Sequence, residues 1–178
     1  EIYRRKDLAA FRLGDNVARE RVLREWAAIE DTGRWNLRIL LAATDKRDEA
    51  YRIGEEMLQA RRSPINAVRL RMSLAMDHLQ DGQVPQAKKL IDEAEAIVRR
   101  DFPAIVLRGD SEFWKVRAEI ELHQAKASMA RRQGRWAEGI EQARLAVDKG
   151  KRLHKLMNLP ITDSDRTYAL ASLIRMGV

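Results

Sequence analysis

Cysteine is absent from the 178-residue chain, which rules out disulfides and thiolate zinc sites. Both cytoplasm and periplasm stay open on that ground, with the cytoplasm as the expectation. Only four prolines and nine glycines occur, nearly all near positions that read as turns. No stretch approaches eighteen uninterrupted apolar residues, so no membrane span is expected. The opening Glu1-Ile2-Tyr3-Arg4-Arg5-Lys6 is charged with no apolar core behind it, unlike a secretory signal. The lack of an initiator Met suggests a processed chain or a fragment of something longer. No segment keeps a two-residue alternation rich in β-branched side chains, so essentially no sheet is expected. Gly-rich phosphate loops, nucleophile elbows and paired-His metal helices are missing as well. The expectation is therefore no enzyme, no catalytic residues, no cofactor and no metal.

What is present fits a soluble, globular helical protein. Hydrophobic residues make up 45% and charged residues 34%, and a chain of this length can bury roughly 68–70% of its unfolded surface. The net charge is +7, which could serve an acidic or nucleic-acid partner. The excess is spread thinly, however. Residues 1–31 carry seven charges of each sign, and the largest local surplus, +3, falls in residues 134–178.

Helical periodicity of apolar residues runs through most of the chain. A short helix over 1–13 is broken at Gly14-Asp15-Asn16, where Asp15 or Asn16 can cap a second helix over about 17–31. Thr32-Gly33 is expected to end that helix, and residues 34–43 are apolar enough to be buried on most sides. A polar turn from Asp45 to Asp48 leads to a helix over about 48–61. Ser63-Pro64 signals another start, giving a helix over 65–80, then a turn at Asp81-Gly82-Gln83 and a helix opened by Pro85. Residues 101–110 form the least regular connection. Two long helices follow, from Asp110 or Ser111 to about Gln133 and from Trp136 to about Asn158. Pro160 stops the second, and residues 162–165 cap a last helix from Arg166 to Met176.

Read in pairs, these segments give hairpins over about 1–31, 34–61, 64–100 and 110–158, plus a terminal helix at 165–176. The turns fall near Gly14, Asp45, Gly82 and Gly134. Gly33-Arg34-Trp35 recurs as Gly134-Arg135-Trp136. Ala127, Ala130, Gly134, Trp136, Gly139, Ile140, Ala143 and Ala146 follow a small–Gly–aromatic–small order. Ala75, Gly82, Val84, Ala87, Ile91 and Ala94 form a second copy, and Leu41, Asp45, Ala50 and Gly54 a third. In this pattern the chain resembles the tetratricopeptide repeat family. It departs in spacing: Ala50 to Ala87 is 37 residues and Ala87 to Gly139 is 52, against a family period of 34. It also has Val84 for the turn aromatic and Gly139 for Ala.

The resemblance implies an all-α, right-handed α-solenoid of antiparallel hairpins, about nine helices in a single domain over 1–178. Small residues such as Ala50 and Ala87 would let paired helices approach closely, while Trp136 and Ile91 would fill the space between hairpins. The other architecture is a non-repeating α-solenoid or a helical bundle with a coincidental Gly-Arg-Trp pair. In this family the first helix of each hairpin lines a concave groove. That implies partner-binding residues Arg69, Met72, Met76 and Gln80 from one hairpin, and Gln124, Ser128, Arg131 and Arg132 from the next. Flexible Met beside Arg donors suits an extended peptide with apolar and acidic groups; alternatively, the methionines fill the core and the arginines are solvated. A clamp for terminal carboxylates, which needs Lys and Asn four residues apart, is not expected where this chain has Gln124 and Ser128, or Met72 and Met76.

The remaining candidates have plainer readings. His78, His123 and His154 fall on different helices. Glu119 and His123 share a helical face, a spacing that suits a metal-ligand pair but more commonly a surface contact. Asp163 and Asp165 beside Ser164 read as helix caps. Lys149, Lys151, Arg152, His154 and Lys155 lie near a helix end, where positive charge is stabilising against the helix dipole; a phosphate-bearing or acidic partner could also use this run. Trp26, Trp35, Trp114 and Trp136 read as packing anchors. Such arrays present surfaces and rarely perform chemistry, so the expected role is a protein- or peptide-binding scaffold or sensor in a larger bacterial regulatory protein. Nucleic-acid binding through the basic surface is the first alternative, disfavoured by the scattered charge. The second is self-association, as a homodimer, through the end helix Arg166 to Met176.

Overall fold

The computed structural model describes residues 1–60, 62–106 and 111–156, and the whole of that described part is helix and connection, with no strand. Eight α-helices are present among the described residues. The expected ninth, at 165–176, lies outside them, as do Pro160 and the capping candidates Asp163, Ser164 and Asp165. Contacts divide the chain into two compact units, Glu1–Ala60 and Arg61–Val178.

The first unit contains α1 (Ile2–Arg12), α2 (Asn16–Ala27), α3 (Asp31–Ala43) and α4 (Arg47–Gln59), each packed on its neighbour in sequence. Asp15 caps α2, its carboxylate accepting from the Ala18 N–H at 2.9 Å, a contact type worth about 1 kcal/mol. Leu23, Trp26, Leu40, Leu41 and Met57 are buried along the inward stripes.

The second unit contains α5 (Pro64–Gln80), α6 (Val84–Asp101), a single 3-10 turn (Phe102–Ala104), α7 (Ser111–Arg132) and α8 (Trp136–Leu156). Ser63 caps α5 by accepting from the Asn66 N–H, and Pro64 takes the first helical position, where its missing donor costs nothing. Helix α7 packs against α5, α6 and α8. Lys115 near its start reaches the Phe102 carbonyl and Lys126 further on reaches Glu95. It therefore runs opposite to α6 and in the same direction as α5.

The four hairpin turns share one geometry. Among the described residues, Gly14, Asp45, Gly82 and Gly134 are those with left-handed backbone, at φ 68°, 63°, 75° and 71°. The N–H following each one donates back to a carbonyl five residues earlier: Asp15 to Ala10, Lys46 to Leu41, Gln83 to His78 and Arg135 to Ala130. This is the helix-ending hydrogen bond that a left-handed residue permits.

Gly33 plays a different part from the one its triplet suggests. It lies inside α3, not at a helix end, because α2 stops at Ala27 and α3 starts at Asp31. A Cβ there would sit 2.4 Å from the Trp26 carbonyl carbon and 2.5 Å from the Ala27 nitrogen. Glycine is required by the approach of two backbones, so the two Gly-Arg-Trp triplets are not structural equivalents. Segment 34–43 is shielded on most sides, as expected: Leu37, Arg38, Leu40 and Leu41 are buried and only Ile39 and Ala43 are exposed, with the Arg38 guanidinium 5.9 Å from the Trp35 ring centroid.

Candidate functional site

On α5 the buried side chains are Val68, Leu70, Met72, Leu74, Ala75 and Leu79. At 100° per residue the strip on the α7 side bears Asn66, Arg69, Ser73, Met76, Asp77 and Gln80, and a second half-buried strip bears Ala67, Arg71 and His78. Helix α7 is buried on two flanks, with Ala118, Leu122 and Ala125 on one and Val116, Ile120 and Ala127 on the other. Its open strip is correspondingly narrow. It begins at Trp114, Arg117 and Glu121, continues through Gln124 and Ser128, and ends at Arg131 and Arg132. Steps of three and four residues keep these positions on one face.

Most of the residues expected to meet a partner fall on these strips. Gln80, Gln124 and Arg132 are exposed, and Arg69, Met76, Ser128 and Arg131 are half-buried. Met72 is only 2% exposed; it faces the core and offers no surface to another molecule.

At the head of the strips the two helices are tied by charge. The Arg69 Nε donates to Glu121 at 3.2 Å, and the Arg117 Nε donates to the same carboxylate at 3.0 Å. The Arg69 guanidinium also lies 4.7 Å from the Trp114 ring centroid, within range of a cation–π contact. Trp114 meets Phe113 edge-on at 4.9 Å and keeps 42% of its surface exposed. Four arginines (69, 117, 131 and 132) and two carboxylates (Asp77 and Glu121) lie on these strips, so their charge is positive on balance.

Trp114, Arg117, Glu121, Ser73 and Asp77 were not among the expected site residues. A helical wheel of α7 carries the signal for three of them, because 114, 117 and 121 continue the strip of 124 and 128. The contact between Arg69 and Trp114 spans two helices and could not be read locally. Trp26 is buried, as a packing anchor would be, but Trp136 is 52% exposed instead of closed between hairpins.

Glu119 and His123 are each engaged with α8. Lys149 donates to Glu119, and the His123 Nδ1 lies 2.8 Å from the Gln142 amide oxygen. Burial lowers the His123 pKa, the Gln142 contact opposes that, and Lys149 and Lys126 add to the lowering. Among the described residues no three His, Asp or Glu side chains gather as metal ligands would. Three cations of the basic run of α8 are likewise paired: Lys149 with Glu119, Lys151 with Asp148 and Arg152 with Glu112. No helix among the described residues is long and apolar enough to cross a membrane.

The chain matches no family model, and it has no significant match to a curated protein or a solved structure.

Proposed function

We propose that this chain is a protein- or peptide-binding scaffold of tetratricopeptide-like hairpins, serving a larger bacterial regulatory protein and receiving its partner along α5 and α7. The observation that carries this reading is the pair of co-directional open strips. Two helices packed side by side each bury their flanks and leave polar, sulfur and aromatic groups facing out. Further support comes from the four turns of one geometry and from the full burial of the small residues Ala50 and Ala87. An extended segment laid along such a surface gains affinity from apolar burial and orientation from Arg contacts.

The test is to pan a displayed random-peptide library on the full chain and remeasure the winners. Arg117→Glu with Arg132→Glu is expected to weaken them at least tenfold. Lys88→Glu with Arg144→Glu, on exposed positions of α6 and α8, is expected to leave them unchanged. Equal loss with both pairs, or no binders at all, overturns the reading.

A further inference from the structure

Resting on that reading, we infer that the bound segment is extended and carries two acidic side chains about six residues apart, with an apolar or aromatic side chain beside the first. The first acid belongs at the Arg117 end of the α7 strip and the second at Arg132.

Arg117 and Arg132 are both exposed. The fifteen residue steps from one to the other rise about 22 Å along the helix, which an extended chain covers in about six or seven residues. Side chains of an extended strand alternate between its two faces. An even separation puts both acids on the strip; an odd one turns the second away. Six is thus favoured over five or seven.

The rest of the strip restricts the sequence between the two acids. Trp114 stands one turn before Arg117 with its ring partly open beneath Arg69, so an apolar neighbour of the first acid has a surface to lie on. Asp77, eight residues beyond Arg69, sits about 12 Å along the strip and opposes any acid in the middle of the segment. Gln124 and Ser128 between the two arginines can serve the segment's backbone.

Fluorescein-labelled synthetic peptides test this by anisotropy on the full chain. Each has two Asp residues separated by 2, 4, 5, 6 or 10 positions in a Gly/Ser background, with Phe next to the first. The six-residue separation is expected to bind at least about tenfold tighter than two, five or ten. Arg132→Gln should reduce it to the level of a single-Asp peptide, and Arg117→Gln should do the same from the other end. Trp114→Ala should remove only the gain from Phe, and an Asp at the centre should weaken binding. Arg144→Gln, with helical content followed by circular dichroism, is the folding control.

Binding that ignores the separation overturns the inference while leaving a peptide-binding surface intact. Tighter binding of Lys-substituted peptides also overturns it. Binding unaffected by Arg117→Gln and Arg132→Gln together overturns this inference and the proposed function alike. Displacement of the six-residue peptide by a single-stranded homopolynucleotide at lower concentration than by unlabelled peptide assigns the strip to nucleic acid and overturns both.

Discussion

Two glycines, each near the start of a helix, face opposite constraints. At Gly33 an added methyl would meet the Trp26 and Ala27 backbone, which cannot swing aside as a side chain can. Gly33→Ala is expected to destabilise the protein by about 1–3 kcal/mol through overpacking. At Gly139, inside α8, the nearest atom to an added Cβ is the Ala127 carbonyl oxygen at 3.4 Å, an ordinary contact. Gly139→Ala should stabilise by about 0.5–1 kcal/mol because alanine loses less backbone freedom in a helix. Urea midpoints of the two variants should therefore move in opposite directions. The difference between Gly33 and Gly134 was not legible in their shared triplet. A Gly-Arg-Trp sequence reads alike after a left-handed turn and within a first helical turn; only the neighbouring helix separates them. Met72 makes the same point, since its period placed it near the open strip while its packing partners, non-local in sequence, took it into the core.

Among the elements, the first unit is laced by a chain of ion pairs that follows no single helix. Lys46 donates to Glu20, Arg24 donates to Glu20 and in bidentate fashion to Glu49, Arg52 joins Glu49 to Glu56, and Arg34 closes on Glu56. Glu20 is held below its ordinary pKa first by Lys46 and then by Arg24, and Glu49 first by Arg24. Arg24, Lys46, Arg52 and Glu56 are exposed and Glu20, Arg34 and Glu49 half-buried, so solvent screens the pairs in large part. Arg24→Ala is expected to cost roughly 0.5–1 kcal/mol, and that cost should shrink in high salt. Comparing urea midpoints of the variant and parent at low and high ionic strength checks both statements; a loss independent of salt would contradict them. In the sequence these residues were simply a balanced set of charges in residues 1–31 and beyond. Their pairing depends on how α2, α3 and α4 lie together, which periodicity alone does not encode.

For the molecule as a whole, acid should act in two stages. His123 has its pKa lowered below the ordinary 6.5, chiefly by burial between α7 and α8. The unfolded chain takes up that proton first, so this contribution to stability is complete above about 6.5 and is lost as pH falls through the lower folded value. Glu20, Glu49 and Glu95 act the same way below the ordinary 4.5. For Glu95, burial pushes upward but hydrogen bonds from Lys126 and Arg99 outweigh it. Stability, read as the urea midpoint, is expected to decline between pH 7 and 5 and again more steeply below 4.5. His123→Gln should flatten the first decline and leave the second. The overall plan was legible to the extent that it is local: all-helical content, and all four hairpin turns at the residues that adopt left-handed backbone. The expected helix at 165–176 falls outside the described residues.

The spacing of those turns has a consequence for reach. Their separations grow from 31 to 37 to 52 residues, yet every corner is closed by the same hydrogen bond. The joints are standardised and the legs are adjustable. If the span between Arg117 and Arg132 measures the guest, then four residues added within it, about 6 Å of helix, should shift the preferred acid separation from six to about eight. Leg length would then act as a gauge for cargo, one that lineages could reset without remaking a single joint.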